Sequence, residues 1–370
     1  MAKKTLIDQL RGATTLAIEA TRSVTDIVEA MHRTIGAGPN VLGRPLEKIV
    51  KVVTAPTYGA IRGVTGLVGS TLDLALSKLA PVLDQAGLER SAVLSALNGV
   101  MGDYLAETGN PLAIEMQLLA RGVGDRIAVL VHGSSMNDEQ WRRAGHDHGA
   151  ELAKDLGFAP VYALYNSGLH VSVNGRLLSA ALEQLVTTWP SPVTELVLIG
   201  HSMGGLVMRS AFVHGEGSQW RRAATKVVTL GTPHHGSPLE RLGNLTDVLL
   251  TVSRYSAPLA RLGQLRSAGV TDLRYGNVLD EHWEGKGRFE PGADARSAVP
   301  LPPGVKTLAI AGDTGSGSDG LVPVDSALGR HASPALTLAF TETWVASNTT
   351  HLALLSSEPV YERLRDFLKA

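Results

Sequence analysis

The strongest constraint on the fold lies after residue 112, where short apolar runs alternate with longer stretches of helical spacing. Short runs rich in Val, Ile and Leu predict strands buried on both faces, and their alternation with helices predicts a mostly parallel α/β sheet with right-handed crossovers. The predicted strands are 113–119, 126–131, 159–165, 195–199, 226–230, 306–311 and 336–340. The predicted helices are 137–156, 175–189, 203–213 and 360–368.

The first hundred residues have a different pattern. Apolar residues recur at helical spacing, which predicts a helical N-terminal region over 1–108 and an α/β domain over 109–370. Glycines at 59, 63, 66 and 69 line one helix face, which is typical of close helix packing. Residues 1–62 carry nine Lys/Arg against five Asp/Glu, so peripheral contact with a lipid surface through residues 1–108 is the alternative interpretation.

Charge and composition exclude several classes of protein. A net charge of −1 provides no field that would attract nucleic acid. The absence of cysteine excludes disulfides, thiolate metal ligands and a cysteine nucleophile. The N-terminus has no cleaved secretion signal, and the window 52–72 is too polar for a transmembrane helix, so we expect a cytoplasmic protein.

One short motif carries chemistry. Gly200-His-Ser-Met-Gly204 follows an apolar run and leads directly into a helical pattern. In a Gly-x-Ser-x-Gly nucleophile elbow the serine occupies a sharp strand-to-helix turn, and the two glycines give the clearance that this turn requires. The helix that begins at Met203 directs its N-terminal N–H groups and dipole toward the same point. Ser202 is therefore the candidate nucleophile.

A serine nucleophile needs a general base, which in elbow-type enzymes follows the serine and the acid along the chain. Three histidines lie late enough to qualify. His282 lies in a charged insertion and His331 adjoins a Gly-Arg loop, whereas His351 lies in a polar loop before the terminal helix. We predict that His351 is the base.

The acid is expected after the strand at 306–311, where three aspartates follow. Asp319 lies in a turn before a short apolar segment that can anchor it under an imidazole, so it is the predicted acid. Asp313 is suited instead to an Asx turn in the Gly/Ser-rich loop, and Asp325 to capping the next segment.

The loop after His132-Gly133 ends the strand at 126–131 and lies where a second oxyanion donor belongs. The backbone N–H groups of Ser134 and Met203 are predicted to form the oxyanion hole, and a plain strand-ending turn is the alternative. His132, Gly133 and His201 are predicted to contact substrate.

Two pairs of histidines raise the question of a metal. His234 and His235 follow the strand at 226–230, at the sheet edge where ligands collect, and are predicted to contact substrate as a polar pocket wall. His146 and His148 are interpreted as a polar helix segment or pocket rim. Zinc needs three or four ligands at defined spacing, and neither neighbourhood offers them, so we expect no metal and no cofactor.

Between Ser237 and Pro302 the chain inserts roughly 65 residues, far more than an ordinary connection. The segment of about 237–302 is predicted to be a lid or cap, either gating the pocket or packing structurally. Its predicted apolar face consists of Leu239, Leu242, Leu245, Val248, Leu249 and Leu250.

These motifs together resemble the lipase and esterase branch of the α/β-hydrolases, especially bacterial true lipases and the hydrolases related to GPI-inositol deacylase. The resemblance runs from about residue 112 to the end. It implies an α/β-hydrolase fold with Ser202 as nucleophile, Asp319 as acid and His351 as base, and the amides of Ser134 and Met203 as oxyanion hole. True lipases often carry calcium near the catalytic histidine, but no calcium ligand set is matched here. The first hundred residues only loosely resemble phasin-type amphipathic segments.

The predicted function is hydrolysis of carboxylic esters, with a small-molecule ester or lipid as substrate, through an acyl-enzyme. An acyltransferase would use the same triad with another acceptor. A non-catalytic protein of lipid surfaces that retains a hydrolase fold is the alternative from a different class.

Overall fold

A computed structural model describes residues 90–107, 109, 113–237, 267–286, 294 and 296–370. By its contacts the chain divides into two units, Met1–Val93 with Leu250–Gln264 and Leu94–Leu249 with Leu265–Ala370. Nearly all described residues belong to the second unit. The glycine-lined face at 59–69 and the apolar face of the lid lie outside the described residues, and the domain boundary near residue 108 stays a prediction.

A seven-stranded sheet lies at the centre of the second unit, in the order β1-β3-β2-β4-β5-β6-β7. Only β1 runs antiparallel to its neighbour. The strands are β1 (Gln117–Ala120), β2 (Arg126–Val131), β3 (Ala159–Leu164), β4 (Glu195–His201), β5 (Ala224–Leu230), β6 (Lys306–Asp313) and β7 (Glu342–Ser347). The predicted mostly parallel sheet is confirmed.

Helices cover both faces of the sheet, as parallel crossovers require. Those of the described residues are α1 (Arg90–Glu107), α2 (His148–Leu156), α3 (Val171–Thr188), α4 (Met203–His214), α5 (Gln219–Ala223), α6 (Ala268–Asp272), α7 (Val324–Ala327) and α8 (Glu358–Lys369). Strand β2 shows why both faces are apolar: Ile127 and Val129 pack in the cluster of α3 and α4, whereas Ala128 and Leu130 pack in the cluster of α2 and α8.

The strand predicted at 336–340 is wrong, because the last strand is β7. Pro334 begins a short 3-10 turn, and the Leu338 N–H donates to the Gly329 carbonyl instead of joining the sheet. Among the described strands, β7 pairs with β6 alone, and it is buried in full only at Ala346, so its sequence lacks the apolar run of a central strand.

The helix predicted over 137–156 is wrong in its first half. Residues Asp138–Trp141 form a 3-10 turn capped by Asn137, and α2 begins only after a turn. Ala144 and Gly145 have φ of 50° and 81° there, which no α-helix accommodates. Asp147 then caps α2 by accepting the N–H groups of Gly149 and Ala150.

Candidate active site

Ser202 lies at the turn between β4 and α4 with a backbone that few residues adopt. Its φ and ψ are 54° and −125°, and the residue is 5% exposed. A Cβ on Gly200 would lie 2.7 Å from Gly205 N, and a Cβ on Gly204 would lie 2.6 Å from His132 O. Both obstacles are backbone atoms, so the two flanking glycines are required for this turn. The arrangement is that of a strained nucleophile elbow.

His351 and Asp319 form a buried hydrogen-bonded pair. His351 Nδ1 lies 2.7 Å from Asp319 Oδ2, and the His351 N–H donates to the Asp319 carbonyl at 2.9 Å. Because the ionised carboxylate only accepts, Nδ1 carries the proton and Nε2 presents its lone pair. The other carboxylate oxygen accepts the N–H groups of Leu321 and Val322 at 2.9 and 2.7 Å. This turn fixes the carboxylate, and the carboxylate fixes the imidazole.

His201, the residue before Ser202, joins the elbow to this pair. Its Nε2 lies 3.1 Å from the His351 carbonyl, and the two rings lie 4.7 Å apart. A carbonyl only accepts, so Nε2 donates. Burial, reinforced by the neighbouring His351, holds the pKa of His201 well below its ordinary value. His201 therefore positions the backbone of the predicted base beside the predicted nucleophile.

Gly231 closes the back of the His-Asp pair. It follows β5 with φ of 57°, and a Cβ at this position would lie 3.0 Å from Asp319 Oδ2 and 3.1 Å from His351 Nδ1. The sequence motif Gly231-Thr-Pro-His-His thus begins with a glycine that the packing of the pair requires. Three strand ends, those of β4, β5 and β6, meet here at the carboxyl edge of the sheet.

The other two candidate aspartates, Asp313 at the end of β6 and Asp325, are engaged elsewhere. Asp313 accepts the N–H groups of Gly315 and Gly317 at 2.8 and 2.9 Å and organises an exposed turn. Asp325 lies in the first turn of α7 and pairs with Arg330 at 3.3 Å. Of the late histidines, His282 bonds to Ser297 and the Val278 N–H, and His331 accepts the Ser333 N–H.

The loop after β2 lies against the nucleophile. A Cβ on Gly133 would lie 3.0 Å from Ser202 Cβ, so Ser134 follows immediately beside the elbow. Ser134 is 4% exposed. Met203 is the first residue of α4, and its N–H has no carbonyl partner within the helix. The two predicted oxyanion donors therefore come from chain segments that lie on either side of Ser202.

The predicted substrate-contacting histidines are mostly enclosed. His132 is buried, donates from Nδ1 to Gly133 O at 2.8 Å and stacks on Tyr165 at 4.2 Å, and burial lowers its pKa to about 4. His234 is buried between Thr229 and Arg209. His235 is partly buried, donates from Nε2 to Gly329 O at 3.1 Å and has a pKa lowered to about 4, mainly by burial. Their contact with substrate stays a prediction.

His146 and His148 form a hydrogen-bonded pair, and His148 also bonds to the Leu354 carbonyl. His148 Nε2 donates to Leu354 O at 2.9 Å, so its Nδ1 accepts from His146 Nε2 at 2.7 Å. Burial lowers the pKa of His148 to about 4, which keeps the ring neutral. Leu354 lies in the turn that follows His351. The pair therefore supports the loop of the predicted base.

A second hydrogen-bonded histidine-aspartate pair was not predicted from the sequence. His170 Nδ1 lies 2.9 Å from the buried Asp272, which also accepts the Val171 N–H at 2.8 Å. The His170 ring stacks on Trp283 at 3.7 Å. Asp272 and Trp283 belong to the described part of the predicted insertion, so this pair fastens that part to the start of α3. No local motif signals a contact between residues 102 positions apart.

Comparison with known proteins gives one match of sequence and several of structure. A sequence profile of the PGAP1-like alpha/beta domain matches residues 123–285. No curated protein sequence matches the chain. The profile match spans strands β2 to β5 and includes Ser202.

Three solved structures are similar to the chain. The mature form of lipase BlEst2 from Bacillus licheniformis shares 20% identity over 68% of this chain and 97% of its own, with a TM-score of 0.43. Carboxylesterase CesB from Bacillus subtilis shares 14% identity over 74% and 98%, with a TM-score of 0.42. A thermophilic esterase from Thermogutta terrifontis shares 18% identity over 70% and 94%, with a TM-score of 0.42.

Proposed function

We propose that the chain, which matches the PGAP1-like alpha/beta domain over residues 123–285 and has a mostly parallel seven-stranded sheet, is an α/β-hydrolase that hydrolyses carboxylic esters of acyl or lipid-like substrates through Ser202, His351 and Asp319. The observation that carries the proposal is the buried His351–Asp319 pair, which His201 ties to a strained serine elbow. A structural role does not require a serine in a left-handed backbone conformation between two obligatory glycines.

In the proposed mechanism, His351 Nε2 takes the Ser202 hydroxyl proton as Oγ bonds to the ester carbonyl carbon. The carbonyl oxygen becomes an oxyanion and accepts the N–H groups of Ser134 and Met203. The C–O bond to the alcohol then breaks, and the alcohol leaves with the proton from His351. Water, deprotonated by His351, then attacks the acyl carbon; the bond from this carbon to Ser202 Oγ breaks, Oγ takes the proton back from His351, and the acid is released. Asp319 keeps the imidazole in the required tautomer and stabilises its cation throughout.

Ser202→Ala should lower kcat for a p-nitrophenyl ester by about 10⁶-fold, as loss of the nucleophile does in a comparable triad enzyme. The assay compares purified wild type and variant over a series of acyl chain lengths, with circular dichroism to verify folding. A fluorophosphonate should label wild type and leave the variant unlabelled. Turnover that survives the substitution would refute the assignment, and product analysis with competing alcohols separates hydrolysis from acyl transfer.

The lipid-surface contact through residues 1–108 and the cytoplasmic location stay predictions. Among the helices that the structure describes, none combines the length and the apolar character needed to cross a membrane. The basic excess in residues 1–62 supports binding to an anionic surface. Co-sedimentation of the full chain with anionic and with neutral vesicles tests it, and equal absence of the protein from both pellets would contradict it.

A further inference from the structure

We infer that helix α1 belongs to the catalytic apparatus, because Gly99 of α1 and Ser167 of the loop after β3 hold Ser135 and thereby position the neighbouring oxyanion donor, Ser134. The inference rests on the proposed function, since an oxyanion forms only if Ser202 attacks a carbonyl. Gly99 and Ser167 are positioning residues: they act on the reaction through the loop at 134–135.

The first observation is the close approach of α1 to this loop. A Cβ on Gly99 would lie 2.7 Å from Ser135 Cβ and 2.8 Å from Ser135 Cα. Real Cβ atoms do not approach other atoms so closely, so any side chain at 99 displaces the Ser135 backbone. Glycine in the interior of a helix is destabilising relative to alanine, and the contact with Ser135 supplies a reason for it.

The second observation is the backbone of Ser135. Its φ is 59°, in the left-handed region that non-glycine residues avoid. Its N–H donates to Ser167 Oγ at 2.9 Å. A strained conformation persists only where surrounding contacts impose it, and here the Ser167 hydroxyl and the α1 backbone impose it from two directions.

The third observation is that α1 is itself fixed to the catalytic unit. Asn98 is buried and accepts the Ile114 N–H at 2.9 Å. The carbonyls of Gly99 and Gly102 accept Ser267 Oγ at 2.6 Å and Asn166 Nδ2 at 2.8 Å, respectively. These bonds reach loops at three separate points of the chain. Helix α1, which is kinked at Met101, is thus bonded to the catalytic unit on both sides of the kink.

The fourth observation concerns the residue that is being positioned. Ser134 Oγ is buried and has no hydrogen-bond partner among the described residues. A buried hydroxyl without a partner costs free energy and is uncommon in folded proteins. Beside Ser202, a developing oxyanion would accept this hydroxyl as readily as the Ser134 N–H. The loop that α1 holds therefore carries a buried hydroxyl without a partner one residue after Gly133, which packs against Ser202.

Gly99→Ala is the direct test. It should lower kcat for a p-nitrophenyl ester by roughly 10- to 100-fold, because a misplacement of about 1 Å costs that much, while KM changes little. Affinity for an aryl boronic acid, which forms a tetrahedral adduct with Ser202, should fall in parallel with kcat. Gly215→Ala is the matched control: its Cβ would lie 2.8 Å from Trp220 Cε2, so it strains the packing at a helix end away from the oxyanion loop and should lower kcat much less.

Two further variants keep the test decisive if Gly99→Ala folds poorly. Ser135→Gly in the Gly99→Ala background removes the side-chain atoms that the new methyl meets and accepts φ of 59° without strain, so it should restore much of the lost kcat. Ser167→Ala removes the acceptor of the Ser135 N–H and should lower kcat and boronate affinity with little change in KM.

The outcomes distinguish the inference from the proposed function. An active wild type whose folded Gly99→Ala and Ser167→Ala variants retain full kcat overturns the inference alone. Equal loss in Gly99→Ala and Gly215→Ala, without rescue by Ser135→Gly, also overturns it. A wild type that neither turns over esters nor reacts with a fluorophosphonate at Ser202 refutes the proposed function, and the inference falls with it.

Discussion

At the scale of single residues, the assignment of the acid is open to a clean test. Asp319→Asn should lower kcat/KM by about 10⁴-fold, because an amide opposite His351 Nδ1 favours the wrong tautomer, as in a comparable triad. Asp313→Asn should stay close to wild type, since an amide oxygen still accepts the N–H groups of Gly315 and Gly317. Ester hydrolysis by the two variants is the measurement, and a larger loss at Asp313 would reverse the assignment.

The residues that the sequence predicts for the site are those whose selection depends on chain order and local turns. Ser202 lies in a recognisable motif, and Asp319 is followed by the two N–H groups that its carboxylate accepts. The supporting roles of His201 and His148 were not predictable. Their rings donate to carbonyls 150 and 206 positions away, and no local pattern encodes such contacts.

At the scale of elements, the elbow predicts a sharp difference between two glycines. Gly204→Ala places a methyl 2.6 Å from the His132 carbonyl, so β2 or the Ser202 turn must shift and activity should collapse. Gly217→Ala has open space but φ of 80°, so it should cost about 1–2 kcal/mol of stability and leave activity intact.

Urea unfolding and ester hydrolysis of both variants separate these effects. A Gly204→Ala enzyme that is destabilised yet fully active would contradict the account of the elbow. Comparable activity losses in both variants would show that general destabilisation, and not displacement of Ser202, accounts for the effect.

The wrong strand prediction at 336–340 and the missed strand β7 have a common physical origin. Central strands are apolar on both faces and were found, whereas β7 has a neighbour on one side only and is apolar at few positions. Leu338 and Phe340 carry the expected alternation but cover Gly329 as irregular backbone. Hydrophobic patterning reports burial, and burial alone does not distinguish a strand from a packed loop.

At the scale of the whole molecule, buried neutral histidines predict a pH dependence of stability. The pKa values of His132 and His148 fall from an ordinary 6.5 to about 4, mainly through burial. Below pH 6.5 these histidines bind protons in the unfolded chain but not in the folded chain. The free energy of unfolding therefore keeps its full value above pH 6.5 and falls as the pH is lowered from 6.5 to 4. Each of these two histidines contributes up to about 1.4 kcal/mol per pH unit.

Urea titrations at pH 7, 6 and 5 measure this dependence. The decline should steepen below pH 6.5, and a His132→Asn variant should show a shallower slope by nearly one proton. Stability that rises on acidification from pH 7 to 5 would contradict the neutral state of these rings.

The fold as a whole followed from the alternation of apolar runs, because a parallel sheet admits few other arrangements. The relation of α1 to the oxyanion loop did not follow. The spacing of the first hundred residues predicts helices but not the segments they pack against. The close approach of the Gly99 backbone to Ser135 forms only in the folded chain.

The direct contact of helix α1 with the oxyanion loop has a mechanical consequence. No side chain separates the α1 backbone at Gly99 from Ser135. A displacement of α1 is therefore passed directly to the loop at 134–135. Gly99 carries no side chain whose rotamer could absorb such a displacement.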